Sequence, residues 1–346
     1  MKIFIWRYLF VSLLLFSLLI ALGAQAPAQS GYHVIKKITL GGDGGWDYLT
    51  IDAKARRLYV SHATHVLVID ADSGAIVGDI PDTPGVHGIA VIEDAGKGYV
   101  SNGRASTVTV FDLKTLKALK QIPVGKNPDA IIYDAASQRV FTMNGASNDA
   151  TAIDVKTDTV AGTLALGGKP EFAVTDEQGN IFVNIEDKSS IVKFDSRRLA
   201  VEANWPIAPA EEPSGLAFDR KHRRLFSVGS NKLMAVVNAD SGKVLTTLPI
   251  GGNVDAAAFD SETGLVFSSN GDGTLTLMHE DSPDKYSVVE NITTQRGART
   301  MALDPKTHKV YLVTAEFGPP PPPTQERPHP RPSIVPGSFT LLILGR

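Results

Sequence analysis

Between His87 and Asn127 the chain reads HGIAVIEDAGKGYVSNGRASTVTVFDLKTLKALKQIPVGKN. Apolar and β-branched residues collect in four short runs, GIAVIE, GYVSN, TVTVFDL and ALKQIPV, with Gly, Asp, Asn, Ser and Lys between them. Runs of this length, punctuated by turn formers, predict short strands joined by tight turns. Four strands cannot cover both faces of their own sheet, so the stretch requires copies of itself.

The copies align on one aromatic. YVSN at Tyr99–Asn102 returns as YVSH from Tyr59, FTMN from Phe141, FVNI from Phe182, FSVG from Phe226, FSSN from Phe267 and YLVT from Tyr311, at steps of 40 to 44 residues. An acid closes the preceding run at Asp52, Glu93, Asp134, Asp176, Asp219, Asp260 and Asp304. The third run tends to end likewise, at Asp70, Asp112, Asp154, Asp195 and, as an amide, Asn238. Four strands in a period near forty are the signature of a propeller blade, and the period occurs seven times. The expected fold is therefore all-β: a seven-bladed β-propeller with four antiparallel strands per blade.

The ends of the chain complete the ring. Tyr32–Leu40 (YHVIKKITL) is a lone strand, whereas the last repeat has only three runs: ARTMALD, KVYLVTAE and FTLLILG. The N-terminal strand is expected to pair with Phe339–Leu344 and close the last blade, which removes an exposed sheet edge. Two stretches break the repeat. Glu202–Glu212, containing Trp205, lengthens the exit from blade four, and residues 318–337 (GPPPPPTQERPHPRPSIVPG) interrupt blade seven. Five consecutive prolines predict a stiff extended arm, a spacer or a docking element.

Residues 1–28 read as a targeting segment ahead of one domain spanning 32–346. Lys2 and Arg7 precede an apolar run of 15 residues, Tyr8–Leu22, too short for an ordinary membrane span, and small residues follow up to Ala28. A cleaved signal peptide and a periplasmic or secreted protein are expected, with no membrane span left in the mature chain and a monomeric state. Removing Lys2 and Arg7 takes the net charge from −3 to −5. That modest acidity does not indicate nucleic acid as a partner. The chain has no cysteine, so disulfides and thiolate metal sites do not arise.

The YVSN and YVSH tetrads, the proline entries GKNPDAI and GGKPEFA, and the D-x-x-(T/S) turns resemble the YVTN-type propellers of the YncE-like family. The resemblance covers residues 32–346 and implies an exported bacterial propeller of seven blades with no shared catalytic residues. Its motifs specify blades and not chemistry.

Chemistry is therefore sought where the first strands meet. Counting five positions back from each closing acid gives Asp47, Gly88, Asp129, Glu171, Ser214, Asp255 and Arg299 around one opening. Trp46 and His87 stand one place earlier, and the ends of the second strands bring His62, Asn102, Asn144 and Asn270 toward the same face. Arg299 falls between Asp255 and Asp47 and is expected to pair with one or both. Asp129 and Glu171 are neighbours with no such cation in view. They are expected to hold a proton tightly or to recruit a divalent cation such as Ca²⁺, and they are the metal ligands if there is one. No cofactor is otherwise identified. His62 and His65 bracket a turn without an evident third ligand. The chain has no G-x-S-x-G elbow, phosphate loop, haem-attachment motif or H-E-x-x-H helix. The functional expectation is a non-catalytic propeller that binds a small molecule or a protein at an acidic channel mouth. The alternative is a lactonase-like hydrolase using Asp129, Glu171 and His87.

Overall fold

The computed structural model describes residues 30–323, 330 and 332–346. The expected signal segment lies outside them, as do 324–329 and 331 of the proline-rich stretch. Seven four-stranded antiparallel sheets form the blades, six of them built from consecutive strands. The inner strands are Trp46–Asp52, Val86–Ile92, Pro128–Asp134, Pro170–Thr175, Pro213–Asp219, Val254–Asp260 and Met301–Leu303. Each packs beside the inner strand of the next blade, and the seventh beside the first, so the ring closes. All inner strands run from one face, called here the mouth, to the other, the base.

Closure follows the expected route. His33–Thr39 lies antiparallel to Thr340–Gly345, with Thr39 opposite Thr340 and His33 opposite Gly345. Tyr32, just ahead of that strand, is buried against Phe267 and donates its hydroxyl to the carbonyl of His308. The first and last segments of the chain are thus bonded into one sheet.

The repeated aromatic is the core of each blade. Tyr59, Tyr99, Phe141, Phe182, Phe226, Phe267 and Tyr311 are all at most 1% exposed. Burying a large side chain of this kind stabilises by roughly 1.5–3 kcal/mol, and this one position contributes it in every blade. The aromatics meet between sheets, as where Phe182 packs on Phe218 of blade five at 5.4 Å between ring centres. The repeated acids have a separate job. Asp112 accepts the backbone N–H groups of Lys114 and Thr115 and the Thr115 hydroxyl, and Asp70, Asp154, Asp195 and Asn238 hold their turns in the same manner. This is the Asx turn that the D-x-x-(T/S) spacing encodes.

Two details differ from the sequence reading. Trp205 belongs to the outer strand of blade four, Ala200–Pro206, and only Ile207–Glu212 is extra loop. Its ring lies along Phe182 and over Gly242, where a Cβ would fall about 2.1 Å from the indole. In addition, the inner strands of blades one to six are bulged near their mouth end, as between Trp46 and Leu49 or Pro128 and Ile131. A bulge breaks strict alternation and re-aims side chains, here at the ring of candidate residues.

The connection that carries the proline-rich stretch leaves Thr314, where the second strand of blade seven reaches the mouth face. Its described base is a narrow antiparallel ladder in which Phe317 bridges Ile334 and Gly318 and Val335 bond to Ser333 and Glu316. Phe317 sits against Trp46 and beneath the Arg296 guanidinium, and Gly337 bonds to Gly42. The arm therefore springs from the mouth side, over the seam between blades seven and one.

Candidate functional site

The backbone of the ring is held by the third residue of the repeated tetrad. Ser101 accepts the N–H of Gly88 and donates to the carbonyl of Asp129 in the next blade, at 2.8 and 2.5 Å. Asn184 donates to the carbonyl of Ser214, and Ser269 to that of Arg299. Ser61 accepts the N–H of Asp47 at 2.8 Å. In blades one, two, four and six a small polar residue at this place thus ties the second strand to a ring position, three times across the seam, whereas blades three, five and seven carry Met143, Val228 and Val313 there.

Around that frame the charged groups interlock. His87 Nδ1 lies 2.5 Å from Asp47 Oδ2 and 3.4 Å from Asp129 Oδ1. Arg299 pairs with Asp255 at 2.7 Å, one of the two partners anticipated for it. Lys169 reaches Glu171 at 2.8 Å and also Glu186. The view that Asp129 and Glu171 lack a cation is therefore corrected. Lys169 stands two residues before Glu171, on the same side of an extended chain, and His87 reaches back from blade two.

These partners do not satisfy the ring. Asp129 Oδ1 is fully buried and makes no hydrogen bond. Burial, and then the charge of Asp47, push the Asp129 carboxyl up to about 7 against the pull of His87. Burial, and then Asp129, push Glu171 up to about 8 although Lys169 is bonded to it. Asp255 rises to about 7, with burial outweighing Arg299. His87 moves the other way. Burial alone would lower it, but the Asp47 bond and the surrounding carboxylates raise it to about 9, so it is an imidazolium at neutral pH. The ring is thus an acidic cluster that retains protons near pH 7.

Below the ring the axis is bridged. Tyr48 of blade one and Phe172 of blade four, which are not neighbours around the ring, meet with ring centres 5.4 Å apart. Tyr48 is 7% exposed, and burial together with the four ring carboxylates, Asp129 foremost, keeps its phenol protonated. The opening is a cup with an aromatic floor, where the sequence had predicted only a channel.

Five nominated residues are spent elsewhere. Asn102 donates to Thr107 and Thr109, Asn144 to Asp149 and Thr151, and Asn270 to Thr274 and Thr276, all in the third strand of their own blade. His62 stacks on Phe339 at 4.2 Å and touches His65 at 3.2 Å, and burial followed by His65 lowers it to about 4. Trp46 packs between Phe317 and Phe339. The fourth tetrad residue points into the sheet interior because side chains alternate along a strand, and the third is the one that serves the ring. Among the described residues, Asp47, His87 and Asp129 place ligand atoms within 4.8 Å of one another, and so does one other group, Asp219, His222 and Glu280.

No family model and no curated protein matches the chain. Solved structures do. The chain is similar to the RRP9 WD40 repeats (TM-score 0.73, 10% identity, covering 93% of this chain and 99% of that one). It is also similar to U3-55K (0.72, 9%, 90% and 98%) and to a chain of Kuenenia stuttgartiensis hydrazine synthase (0.68, 16%, 78% and 92%). In fold, the chain is a WD40-like propeller. At these identities the likeness concerns architecture, and the ring residues have to be read from their own geometry.

Proposed function

We propose that this propeller is a non-catalytic binding protein whose cup accepts a cationic group, carried by a small ligand or presented by a partner protein. The observation that carries the reading is the buried Asp129 Oδ1, which accepts no hydrogen bond and has a 3.4 Å ion contact with His87, within a ring of four carboxylates that among the described residues Arg299, Lys169 and His87 offset. An entering cation would replace the protons that Asp129, Glu171 and Asp255 retain, so binding would release protons and tighten as pH rises through about 7 to 8. Carboxylate oxygens suit a hard cation such as Ca²⁺ and equally a primary ammonium. Export in a bacterial envelope belongs to the same reading, supported by the basic start and apolar run of residues 1–28, and so does kinship with YVTN-type propellers, supported by the tetrads.

The test is calorimetry with CaCl₂ and, separately, with a diamine, on the parent and on Asp129→Asn/Glu171→Gln. The double variant is expected to lose binding while melting as a folded protein. Equal binding by parent and variant would place the site elsewhere. A lactonase-like hydrolase is the second reading, favoured by one observation: His87 stands between Asp47 and Asp129 with all three donor atoms close together. It requires lactone turnover that falls in Asp129→Asn and metal that survives dialysis.

A further inference from the structure

At the base face the acid closing each inner strand is usually met from the following blade. Arg56 reaches Asp304 at 2.6 Å, His308 reaches Asp260 at 2.7 Å, and Arg223 reaches Asp176 at 3.2 Å. Each of these latches stands four residues after the closing acid of its own blade, in left-handed backbone. In blade six that place is Gly264, so Asp219, only 2% exposed, has no latch. Blade two has its left-handed glycine three residues after Glu93, at Gly96, and beside it Asp52 borders an open cleft of about 510 Å³.

At Asp219 the gap is filled, and by a second acid. The outer hairpin of blade six is long, with strands Thr274–Ser282 and Lys285–Thr293. Its tip leans on blade five, where Arg224 bonds to Pro283 and Asp284 and Tyr286 packs edge-on to Phe226. This brings Glu280, with a side chain 3% exposed, over Asp219. His222 Nδ1 lies 2.7 Å from Asp219 Oδ2 and 3.3 Å from Glu280 Oε1. Among the described residues the Glu280 carboxylate receives one hydrogen bond, a long one of 3.4 Å from Tyr286. His222 Nδ1 is shielded from solvent and makes no well-formed hydrogen bond, although two carboxylates adjoin it. The Asp219 oxygens accept the N–H groups of Lys221 and His222, whereas the Glu280 carboxylate and the His222 Nδ1 that converge on them keep donor capacity unused. Burying two such charges together is unfavourable unless a cation joins them.

We propose that Asp219, His222 and Glu280 form a site for a divalent transition-metal ion of the zinc class. One nitrogen and two carboxylate oxygens are a borderline donor set that suits Zn²⁺. Two negative charges balance the ion, and the half-exposed side of His222 leaves a fourth position for water. The ion would take the place of the missing latch between blades five and six.

The experiment uses the purified protein, stripped with a chelator, reloaded with ZnCl₂ and desalted. Zinc content, calorimetry and melting temperature are then measured. The parent is expected to retain one equivalent of zinc and to melt higher with it. Glu280→Gln and His222→Ala are expected to lose that equivalent, with affinity falling beyond the ~10–100-fold typical of changes outside the ligand set. Glu280→Gln is nearly isosteric and removes a buried repulsion, so without metal it is expected to melt no lower than the parent. Asp129→Asn/Glu171→Gln, at the mouth, is expected to keep the zinc. A parent that takes up no zinc would mean that the acids share a proton, and would overturn the proposal. Retention by Glu280→Gln, or loss in the mouth variant, would overturn it as well.

Discussion

Glu171 and Asp176 stand at opposite ends of one inner strand, and their carboxyls behave in opposite ways. Both are buried, at 9% and 5% exposure. Burial is the largest influence on each and acts in the same direction. At the base, Asp176 answers it with four donors: the N–H groups of Gln178 and Asn180, the Asn180 amide and Arg223. Its carboxyl ends below the usual range. At the mouth, Glu171 has Lys169 and faces Asp129, and it ends at about 8. Burial does not separate the two faces. The supply of hydrogen-bond donors does: turns at the base offer free N–H groups, whereas the mouth turns their ring side chains toward one another. Outside the Asp219–Glu280 pair the base is arranged for stability, whereas the mouth keeps acids that the fold does not fully satisfy.

The widest test of that contrast is the ring on which both faces depend. Deleting residues 32–40 bares the sheet edge of Thr340–Gly345 and uncovers Phe267, and should remove most of the ~5–15 kcal/mol typical of a domain. An unchanged melting temperature would defeat the closure argument. Next in size is the base. Arg56→Ala leaves Asp304, whose side chain is fully buried, without its cation, and should cost about 3 kcal/mol in urea unfolding.

At the mouth the sign reverses. Asp129, Glu171 and Asp255 titrate higher in the folded chain than their ordinary values, at about 7, 8 and 7, and His87 at about 9. In each case the folded chain holds the proton more tightly, so the contribution to stability is full at acid pH and is lost as pH rises through those values. Depressed acids at the base, such as Asp176 and Asp304, work oppositely, and their contribution is lost only as pH falls below the ordinary carboxylate range. Melting temperature should therefore peak in mildly acidic solution and decline toward pH 9. Asp129→Asn should flatten that decline and stabilise the protein at pH 8 by about 1–2 kcal/mol; a variant with the parent's pH profile would show that the ring is not the source. The smallest effect belongs to Lys54→Ala. Its pair with Glu93 lies in solvent, and its loss should leave the melting temperature where it was.

Much of this was legible in the chain because the repeat is strict where packing is strict. The buried aromatic allows no polar substitute, so its forty-residue recurrence exposes the blades, their number and the strand missing from the last. Counting back from the closing acids also brought Asp47, Asp129, Glu171, Asp255 and Arg299 to one ring. The errors arose where geometry departs from the count. A bulge at the mouth end of the inner strands changes which neighbours face the axis, so Tyr48 and its contact with Phe172 were missed. Asn102, Asn144, Asn270 and His62 were placed at the mouth because their strands end there, but the direction of a side chain depends on strand parity. Lys169 was readable in principle, two places before Glu171. His222 with Glu280 was not, since a hairpin at least three residues longer than its counterparts carries no sign of where its tip will lie.

Tyr48 and Phe172 also bear on kinetics. For the occupant proposed for the ring, this contact across the axis favours departure through the opening by which it came. The base of the proline-rich arm, at Phe317, stands beside that opening. Whatever settles on the arm without touching the occupant obstructs arrival and departure by the same factor. Residence time of the proposed ligand would then change while its equilibrium constant stays fixed, so that how long it is held would be adjusted independently of how tightly.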